Sequence, residues 1–352
     1  MNKNTKAYVN QILENRHSME PFCTGLVLNY NGREHLEVCL KSLENQTYNN
    51  CEIILVDNAS TDDSSEFVKK KFPNIRIIKN SRNAGTAGGF NFGARHVKSK
   101  YILFLANDIE AEPNLIEEMI KIIESDPQIA ICSAKMLKFD RRDIIDYAGF
   151  QLDLYGFPRI IGHLEKDTGR YDIITDTIPT GTCLLIKRKV FEKVGGFDDD
   201  YFTLSDELDL AWRVKLIGYR SVISPHAVLY HKAAVTLRQF KRSQLRFWSE
   251  RNTIRNLLKN YSTWSLIKVL PRYFVLLIAE MSYYLLIRRT DMFMAIVKAV
   301  FWNITHLKTT YTLRRKIQKI RKISDNIIQK DMIKGSIKLG IFGQWLRGDF
   351  KL

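Results

Sequence analysis

The amino-acid sequence predicts an α/β fold: a mostly parallel central sheet with helices on both faces, followed by a basic and apolar helical module. Short apolar runs alternate with helical patterns through the front part of the chain, which is the rhythm of β–α–β units. Polar residues directly follow several of these runs, and basic residues are concentrated at the rear. The apolar fraction of 45% is sufficient for a well-buried core.

The predicted elements follow one another regularly up to residue 124. The strands are expected at 22–28, 52–56, 75–78 and 101–106, and each is followed by a helix, at 33–43, 64–72, 89–97 and 114–124. Residues 129–177 have no regular pattern. A further strand is predicted at 183–186, with helices at 190–194 and 208–216.

Polar side chains stand at the ends of the predicted strands. Asn29 and Tyr30 follow the first strand, Asp57 follows the second, and Asn107 and Asp108 follow the fourth. In open α/β sheets, ligands bind beyond the carboxyl ends of the strands, so these residues are expected to line a ligand site.

Acidic residues form two groups that are candidates for a role in catalysis. Asp108 follows a buried strand, where a carboxylate is costly unless it is paired or binds a metal. Asp206 and Glu207 stand about a hundred residues later, just before a predicted helix. At this position the helix dipole also stabilises an acidic side chain, whatever its function. If the two groups converge, they supply a metal ligand and a general base, as metal-assisted group transfer requires.

Charge is distributed very unevenly. Residues 1–231 contain 29 Lys and Arg against 32 Asp and Glu, a balance of −3, whereas residues 232–352 contain 25 against 6, a balance of +19. Such a basic module suggests nucleic acid or an anionic membrane surface, and its apolar runs at 273–287 and 292–305 favour the membrane. Neither run reaches the roughly 18 uninterrupted apolar residues of a spanning helix, so the helices are expected at headgroup level.

The cellular setting follows from the cysteines and the N-terminus. The five cysteines form no CxxC pair and are typical of a reducing compartment. The first residues are polar and lack an apolar signal core. We therefore expect a peripheral protein on the cytoplasmic face of the cell membrane that does not bind nucleic acid. The alternative is that the rear helices pack on the front domain or form a homo-oligomer.

Seven motifs in order resemble glycosyltransferase family 2, more narrowly its rhamnosyltransferase-like branch, over roughly residues 22–261. The motifs are Val27-Leu28-Asn29-Tyr30-Asn31-Gly32, Val56-Asp57-Asn58-Ala59-Ser60-Thr61-Asp62, the glycine-rich stretch from Arg82-Asn83-Ala84-Gly85 to Gly88-Gly89, Leu105-Ala106-Asn107-Asp108, Pro179-Thr180-Gly181-Thr182-Cys183, Val194-Gly195-Gly196-Phe197-Asp198 and Asp206-Glu207-Leu208-Asp209-Leu210. Arg251-Asn252 matches a further pattern to which the resemblance assigns no role.

The resemblance implies the GT-A nucleotide-diphospho-sugar transferase fold and inversion at the anomeric carbon. It places a nucleotide site at Leu28, Asn29, Tyr30, Asp57, Asn83, Gly88 and Asn107. It places a divalent cation, Mg²⁺ or Mn²⁺, at Asp108 and His231, with Ala106 and Asn107 standing where many relatives carry Asp.

Glu207 matches the position of the family's general base. Asp206 would orient the acceptor or the base, and it is the alternative base. Asp57 also fits a simple turn, and His231 also fits a structural role beside an apolar strand. Glu110 could add a second carboxylate beside Asp108 if the strand continues.

The resemblance implies the following organisation and activity. Residues 1–20 are an extension, 21–262 the catalytic domain with nucleotide (21–110) and acceptor (111–262) halves, and 263–352 the membrane-associating module. The expected reaction moves a sugar such as rhamnose from a nucleotide-diphosphate donor to a lipid-linked or polysaccharide acceptor in cell-surface glycan synthesis. The alternatives are a sugar-nucleotide pyrophosphorylase, which would need a basic glycine-rich loop after the first strand, and a non-catalytic membrane or nucleic-acid adaptor.

Overall fold

The computed structural model describes residues 22–179, 182–232 and 239–340. The predicted extension at 1–20, the motif residues Thr180 and Gly181, and the last part of the helical module at 341–352 lie outside the described residues.

A nine-stranded mixed sheet forms the centre of the fold, in the order β3-β2-β1-β4-β10-β6-β11-β5, with β7 paired to β6. A separate two-stranded sheet joins β8 and β9. The strands are β1 Cys23–Asn29, β2 Cys51–Asp57, β3 Arg76–Lys79, β4 Tyr101–Ala106, β5 Ile109–Ala111, β6 Ile129–Lys138, β7 Ile145–Tyr147, β8 Phe150–Leu152, β9 Pro158–Ile160, β10 Cys183–Lys187 and β11 Arg220–His231.

The helices of the described residues fall into two groups. Six accompany the sheet: α1 Arg33–Glu44, α2 Ser64–Lys71, α3 Gly85–Ala94, α4 Leu115–Ser125, α5 Arg188–Val194 and α6 Asp206–Leu216. The others follow the last strand: α7 Arg242–Asn260, α8 Thr263–Leu286, α9 Thr290–Thr305, α10 Leu307–Ile320 and the short α11 Asp325–Ile328.

The direction of the strands decides where their ends meet. β3, β2, β1 and β4 are parallel neighbours, as the alternating pattern predicts. β10 is antiparallel to both β4 and β6, and β11 is parallel to β6, so β11 runs in the same direction as β4. The carboxyl ends of β1, β2, β4 and β11 therefore lie at one edge of the sheet, which we call the carboxyl edge.

The C-terminal helices share an apolar core with helix α6. Trp212 and Leu216 of α6 pack in one cluster with Leu257 of α7, Tyr273 of α8 and Ile296 of α9. The rear module is thus joined to α6 through a continuous core.

Among the described residues, one helix has the length and composition to cross a membrane. It is α8, with 24 residues and a mean hydropathy of 1.3 over its most apolar window. Core helices of soluble proteins pass the same test, but they are mostly buried, whereas 17% of this window is buried.

Candidate active site

Asparagine side chains at the carboxyl edge bind one another. Asn107 Nδ2 donates to Asn29 Oδ1 at 2.6 Å, and Asn29 Nδ2 donates to Ser60 Oγ at 3.1 Å. Asn58 Nδ2 donates to Asn83 Oδ1 at 3.0 Å, and the backbone N–H of Asn58 donates to the carbonyl of Asn29. Asn29, Asn58, Asn83 and Asn107, here called the asparagine cluster, bring together three of the predicted nucleotide residues.

Glycines let the backbone pass close to this cluster. A Cβ atom at Gly32 would lie 2.0 Å from Asn107 Nδ2, and one at Gly89 would lie 2.6 Å from Leu28 Cδ1. Any side chain at either position would therefore displace its neighbour. A Cβ atom at the predicted residue Gly88 would instead meet the side chain just before the helix, at 2.7 Å.

Asp57 is bound within its own turn. Its Oδ1 accepts from the backbone N–H of Ser60 at 2.9 Å and its Oδ2 accepts from Ser65 Oγ at 2.7 Å, with Lys79 Nζ 3.7 Å away. Asp57 therefore forms the turn that its sequence context also fits. Its carboxylate oxygens keep further lone pairs that can accept from a nucleotide base. Tyr30, by contrast, is 40% exposed at the end of β1 and is free to contact a ligand.

Asp108 and His231 meet at the carboxyl edge. His231 Nε2 lies 3.6 Å from Asp108 Oδ2, and His231 Nδ1 lies 2.8 Å from Asp146 Oδ2. A carboxylate at one ring nitrogen fixes the tautomer and turns the other nitrogen toward a metal position. We call Asp108, His231 and Asp146 the edge triad.

The charges of the edge triad reinforce one another. Burial disfavours the charged forms, but the contact with His231 outweighs burial and lowers the pKa of Asp108. Burial likewise opposes protonation of His231, yet Asp108 and Asp146 raise its pKa to about 9. Without a metal, the ring therefore carries a proton at neutral pH.

The residues at this edge fit a divalent cation. A buried carboxylate oxygen and an imidazole nitrogen are donors that divalent metals accept, and phosphate or water oxygens can complete the coordination. Among the described residues, no three His, Cys, Asp or Glu side chains converge as a complete metal site. Glu110 does not add a free carboxylate, because Arg142 binds it at 2.5 Å.

Asp206 and Glu207 begin α6. Asp206 is 2% exposed and its Oδ2 has no hydrogen-bond partner, whereas Glu207 is partly exposed. Burial and the neighbouring Asp206 raise the pKa of Glu207 well above its usual range. A raised pKa in a carboxylate pair is typical of a group that takes or gives a proton.

Strand β7 interacts with both acidic groups. Its Asp146 binds His231, and the next residue, Tyr147, has its pKa raised by burial and by the charge of Glu207. Consecutive residues of β7 therefore interact with two groups that are distant in sequence.

Sequence reasoning missed two side chains here, Asp146 and Lys232. Asp146 lies in the stretch that shows no pattern, and no local signal identifies it. Lys232 follows His231 directly, and its Nζ lies 3.4 Å from His35 Nδ1, close to Asp108. The position of Lys232 next to His231 was the one signal that could have drawn attention to it.

Comparison with known proteins matches part of the chain to one family. A family model described as glycosyl transferase family 2 matches residues 26–195, just under half of the chain. Residues 26–195 form a glycosyltransferase family 2 domain. The match runs from β1 through α5, so it contains the asparagine cluster, Asp108 and Asp146. It confirms the resemblance for the motifs up to Cys183, and it ends before Asp206 and Glu207.

The relatives of this chain are distant. It is 27% identical over 224 residues to an uncharacterized glycosyltransferase of Rickettsia typhi, covering 61% of this chain and 64% of the relative. It is 25% identical over 234 residues to N-acetylglucosaminyl-diphospho-decaprenol L-rhamnosyltransferase of Mycobacterium tuberculosis, covering 60% and 76%. It spans 23% of the length of an uncharacterized protein of Sinorhizobium fredii.

One solved structure establishes the fold class of the chain. The crystal structure of GalNAc-T7 with UDP, GalNAc and Mn²⁺ superposes with a TM-score of 0.56 at 15% identity, covering 70% of this chain and 49% of that one. The fold is therefore of the GT-A type, as the sequence predicts.

Proposed function

We propose that this glycosyltransferase is an inverting, metal-dependent enzyme that moves a sugar from a nucleotide-diphosphate donor to a lipid-linked or polysaccharide acceptor in cell-surface glycan synthesis. One observation carries the proposal. Strand β7 contributes Asp146 to the edge triad, and the charge of Glu207 acts on its next residue, Tyr147.

The asparagine cluster is the proposed nucleotide site. Its amides and the exposed ring of Tyr30 offer donors, acceptors and a flat apolar surface to a base and ribose. Asp57 holds the turn behind the cluster and can accept from the base. Crystals of GalNAc-T7, of the same fold, contain UDP, which supports a nucleotide donor.

Asp108 and His231 would hold the divalent cation. When bound, Mg²⁺ or Mn²⁺ neutralises the charge that develops on the departing diphosphate. Asp146 keeps the His231 ring turned toward Asp108. The Mn²⁺ in the GalNAc-T7 crystal supports a divalent cation in this fold.

Glu207 is the proposed general base. It takes the proton from the acceptor hydroxyl while that oxygen forms a bond to the anomeric carbon, and the bond between that carbon and the diphosphate oxygen breaks on the opposite face. Asp206 keeps the proton affinity of Glu207 high and orients the acceptor. Asp206 acting as the base is the alternative assignment.

The acceptor is proposed to be presented at the cytoplasmic membrane face. Val269, Tyr273 and Leu277 pack α8 on the protein, and Arg246 and Lys338 bind Glu280 on the same helix. The outer surface of α8, α9 and α10 combines exposed basic residues with large apolar ones. The large apolar residues that are at least half exposed are Trp264, Ile267, Val275, Ile278, Leu285, Leu286, Phe301, Ile304, Leu307 and Tyr311. A helix fixed to the protein along one face suits a bilayer surface better than a crossing.

The sugar is proposed to be rhamnose. The support is the name of the Mycobacterium tuberculosis relative, an L-rhamnosyltransferase of a decaprenol-linked diphospho-sugar.

The test is a transfer assay on the purified full chain with a panel of labelled sugar nucleotides and a lipid-linked acceptor. We expect turnover with one donor class, with loss in EDTA and recovery with Mn²⁺. The melting temperature should rise with the same donor, because a ligand that binds the native state stabilises it. If no donor is transferred and none shifts the melting temperature, the adaptor alternative replaces the enzyme.

A further inference from the structure

Helix α7 carries a repeat that the proposed reaction does not use. A cation followed by an asparagine recurs every four residues, as Arg251-Asn252, Arg255-Asn256 and Lys259-Asn260. Residues four apart lie on one side of a helix, so the three pairs form a stripe. All six residues are between 0% and 6% exposed. We call these six residues the α7 ladder.

The cations of the ladder bind the acidic segment that leads into α6. Arg255 Nε lies 2.8 Å from Asp198 Oδ2, and another nitrogen of Arg255 lies 2.5 Å from Asp200. Lys259 binds Asp198 as well, and its Nζ lies 3.0 Å from Asp209 inside α6. Buried cations of this kind are tolerated only when they are paired, so the segment from 198 to 209 is fixed to α7.

The asparagines bind the backbone just before α6. Asn252 Nδ2 donates to the carbonyl of Thr203 at 3.0 Å and to that of Leu204 at 2.6 Å. Asn256 Nδ2 donates to the carbonyl of Ser205 at 3.4 Å. Three consecutive carbonyls are therefore held by two side chains of one helix.

The backbone held in this way is strained. Leu204 and Ser205 have φ angles of +69° and +62°, which cost a residue with a side chain on the order of 1 kcal/mol or more each. The side chain of Ser205 makes no capping hydrogen bond to α6. Ser205 directly precedes Asp206, so the direction in which α6 presents Asp206 and Glu207 depends on this turn.

We propose that the α7 ladder, chiefly through Asn252, positions the Asp206–Glu207 pair by holding the left-handed turn at Leu204 and Ser205. Asn252 touches neither donor nor acceptor in this role; it acts through the turn. The proposal rests on the proposed function for its kinetic consequence, and its structural consequence is independent of that function.

The control for Asn252→Ala is Asn303→Ala. Asn303 is 3% exposed, and its Nδ2 also donates to two backbone carbonyls, those of Arg251 at 3.0 Å and Ala299 at 2.9 Å. Both variants lose a buried asparagine with two such bonds, so both should lower the melting temperature. Of these two asparagines, only Asn252 binds the turn before α6.

The first measurement is hydrogen exchange of the full chain, which does not require activity. The backbone N–H of Asp209, which donates to the carbonyl of Ser205 at 3.1 Å, should exchange at least about tenfold faster in Asn252→Ala than in Asn303→Ala. Equal exchange in the two variants would overturn the proposal even if the chain transfers no sugar.

The second measurement is steady-state transfer with the donor that the wild type uses. Asn252→Ala should lower kcat by about 10²-fold with little change in the KM of the donor, because a small displacement of a catalytic group has that effect. Asn303→Ala should keep kcat near that of the wild type. Equal kcat in both variants would overturn the proposal.

A rescue variant separates positioning from loss of folding. Ser205→Gly should be near neutral in the wild type, because glycine adopts positive φ without strain. In the Asn252→Ala background, it should restore part of the lost kcat. If Asn252→Ala does not fold, Asn252→Ser takes its place in all three measurements. A rescue that raises the melting temperature and leaves kcat unchanged would count against positioning.

Discussion

Glu207 lies beside a second carboxylate in a partly buried position, and this placement sets its proton affinity. Burial and the charge of Asp206 raise the pKa of Glu207. A base with a raised pKa accepts a proton from a hydroxyl more readily than an ordinary carboxylate. The same environment makes the charged form costly for the folded protein.

Replacement of the base should separate activity from stability. Glu207→Gln should lower kcat by about 10²-fold to 10⁴-fold while donor binding survives, as measured by transfer rate and by donor titration. The acid limb of the wild-type pH profile should also disappear. If Asp206→Asn, and not Glu207→Gln, gave this pattern, Asp206 would be the base.

The pH dependence of stability has a definite sign for Glu207. The folded state holds the proton more tightly than the unfolded chain, whose Glu pKa is about 4.3. The free energy of unfolding therefore falls as pH rises from there through the folded pKa. We expect Glu207→Gln to melt above the wild type at pH 8, with the difference lost near pH 4. A lower melting temperature at pH 8 would contradict the raised pKa.

Asp146 should tune the metal site without binding the metal. Asp146→Asn weakens the carboxylate behind His231 and should lower Mn²⁺ affinity about 10-fold to 100-fold in a titration of activity against Mn²⁺. The control is His163→Ala: His163 Nδ1 bonds the backbone carbonyl of Asp146 at 2.9 Å and lies 3.8 Å from its carboxylate, so this variant removes a neighbour of Asp146 and keeps the carboxylate itself. Asp108→Ala should weaken metal-dependent donor binding further. An unchanged Mn²⁺ titration in Asp146→Asn would remove it from the site.

No local sequence signal could identify Asp146. Asn29, Asp57, Asn107 and Asp108 follow apolar runs, and parallel strands must bring such residues to one edge. Asp146 reaches the same edge on a three-residue strand paired to β6. Its placement depends on long-range pairing, which no pattern of neighbouring residues specifies.

At the scale of the element, the sequence pattern misplaced the start of helix α3 and missed strand β6. The helix predicted from Gly89 begins at Gly85, because glycines that resemble a loop form its first turn here. β6 was not predicted. It is buried on both faces and contains Lys135, whose amine is bound by Asp167 and Asp172 at 2.7 Å. A lysine inside a buried strand breaks the pattern that would reveal it.

The exposed face of α8 carries the next prediction. The double variant Val275→Glu and Ile278→Glu should bind vesicles containing anionic lipid roughly tenfold or more weakly, because it removes apolar area from the bilayer and adds repulsion. The measurement is co-sedimentation of the full chain with vesicles.

The matched control for α8 places the same changes elsewhere. Leu164→Glu and Ile173→Glu alter residues that are 57% and 60% exposed but lie outside α8, α9 and α10. This control should bind as the wild type does. If both double variants lost vesicle binding equally, the change in net charge would explain the loss. That result would contradict an apolar surface of α8 in contact with lipid.

At the scale of the whole molecule, the front domain and the rear helices act as one unit. The apolar core that contains α6 continues through α7 to α8 and α9, and the α7 ladder crosses the same boundary. The composition shift at His231 separates a near-neutral part from a basic part. It could not predict that the basic part holds the backbone before Asp206, because that contact depends on which side of α7 faces the sheet.

The most direct measurement is anomalous diffraction from crystals of the full chain soaked with Mn²⁺ and the sugar nucleotide that most stabilises the protein. We expect an Mn²⁺ peak about 2 Å from Asp108 Oδ and His231 Nε2. The base should lie on the asparagine cluster and the sugar on the side of Glu207. An Mn²⁺ peak elsewhere, or a sugar directed away from Glu207, would contradict the account.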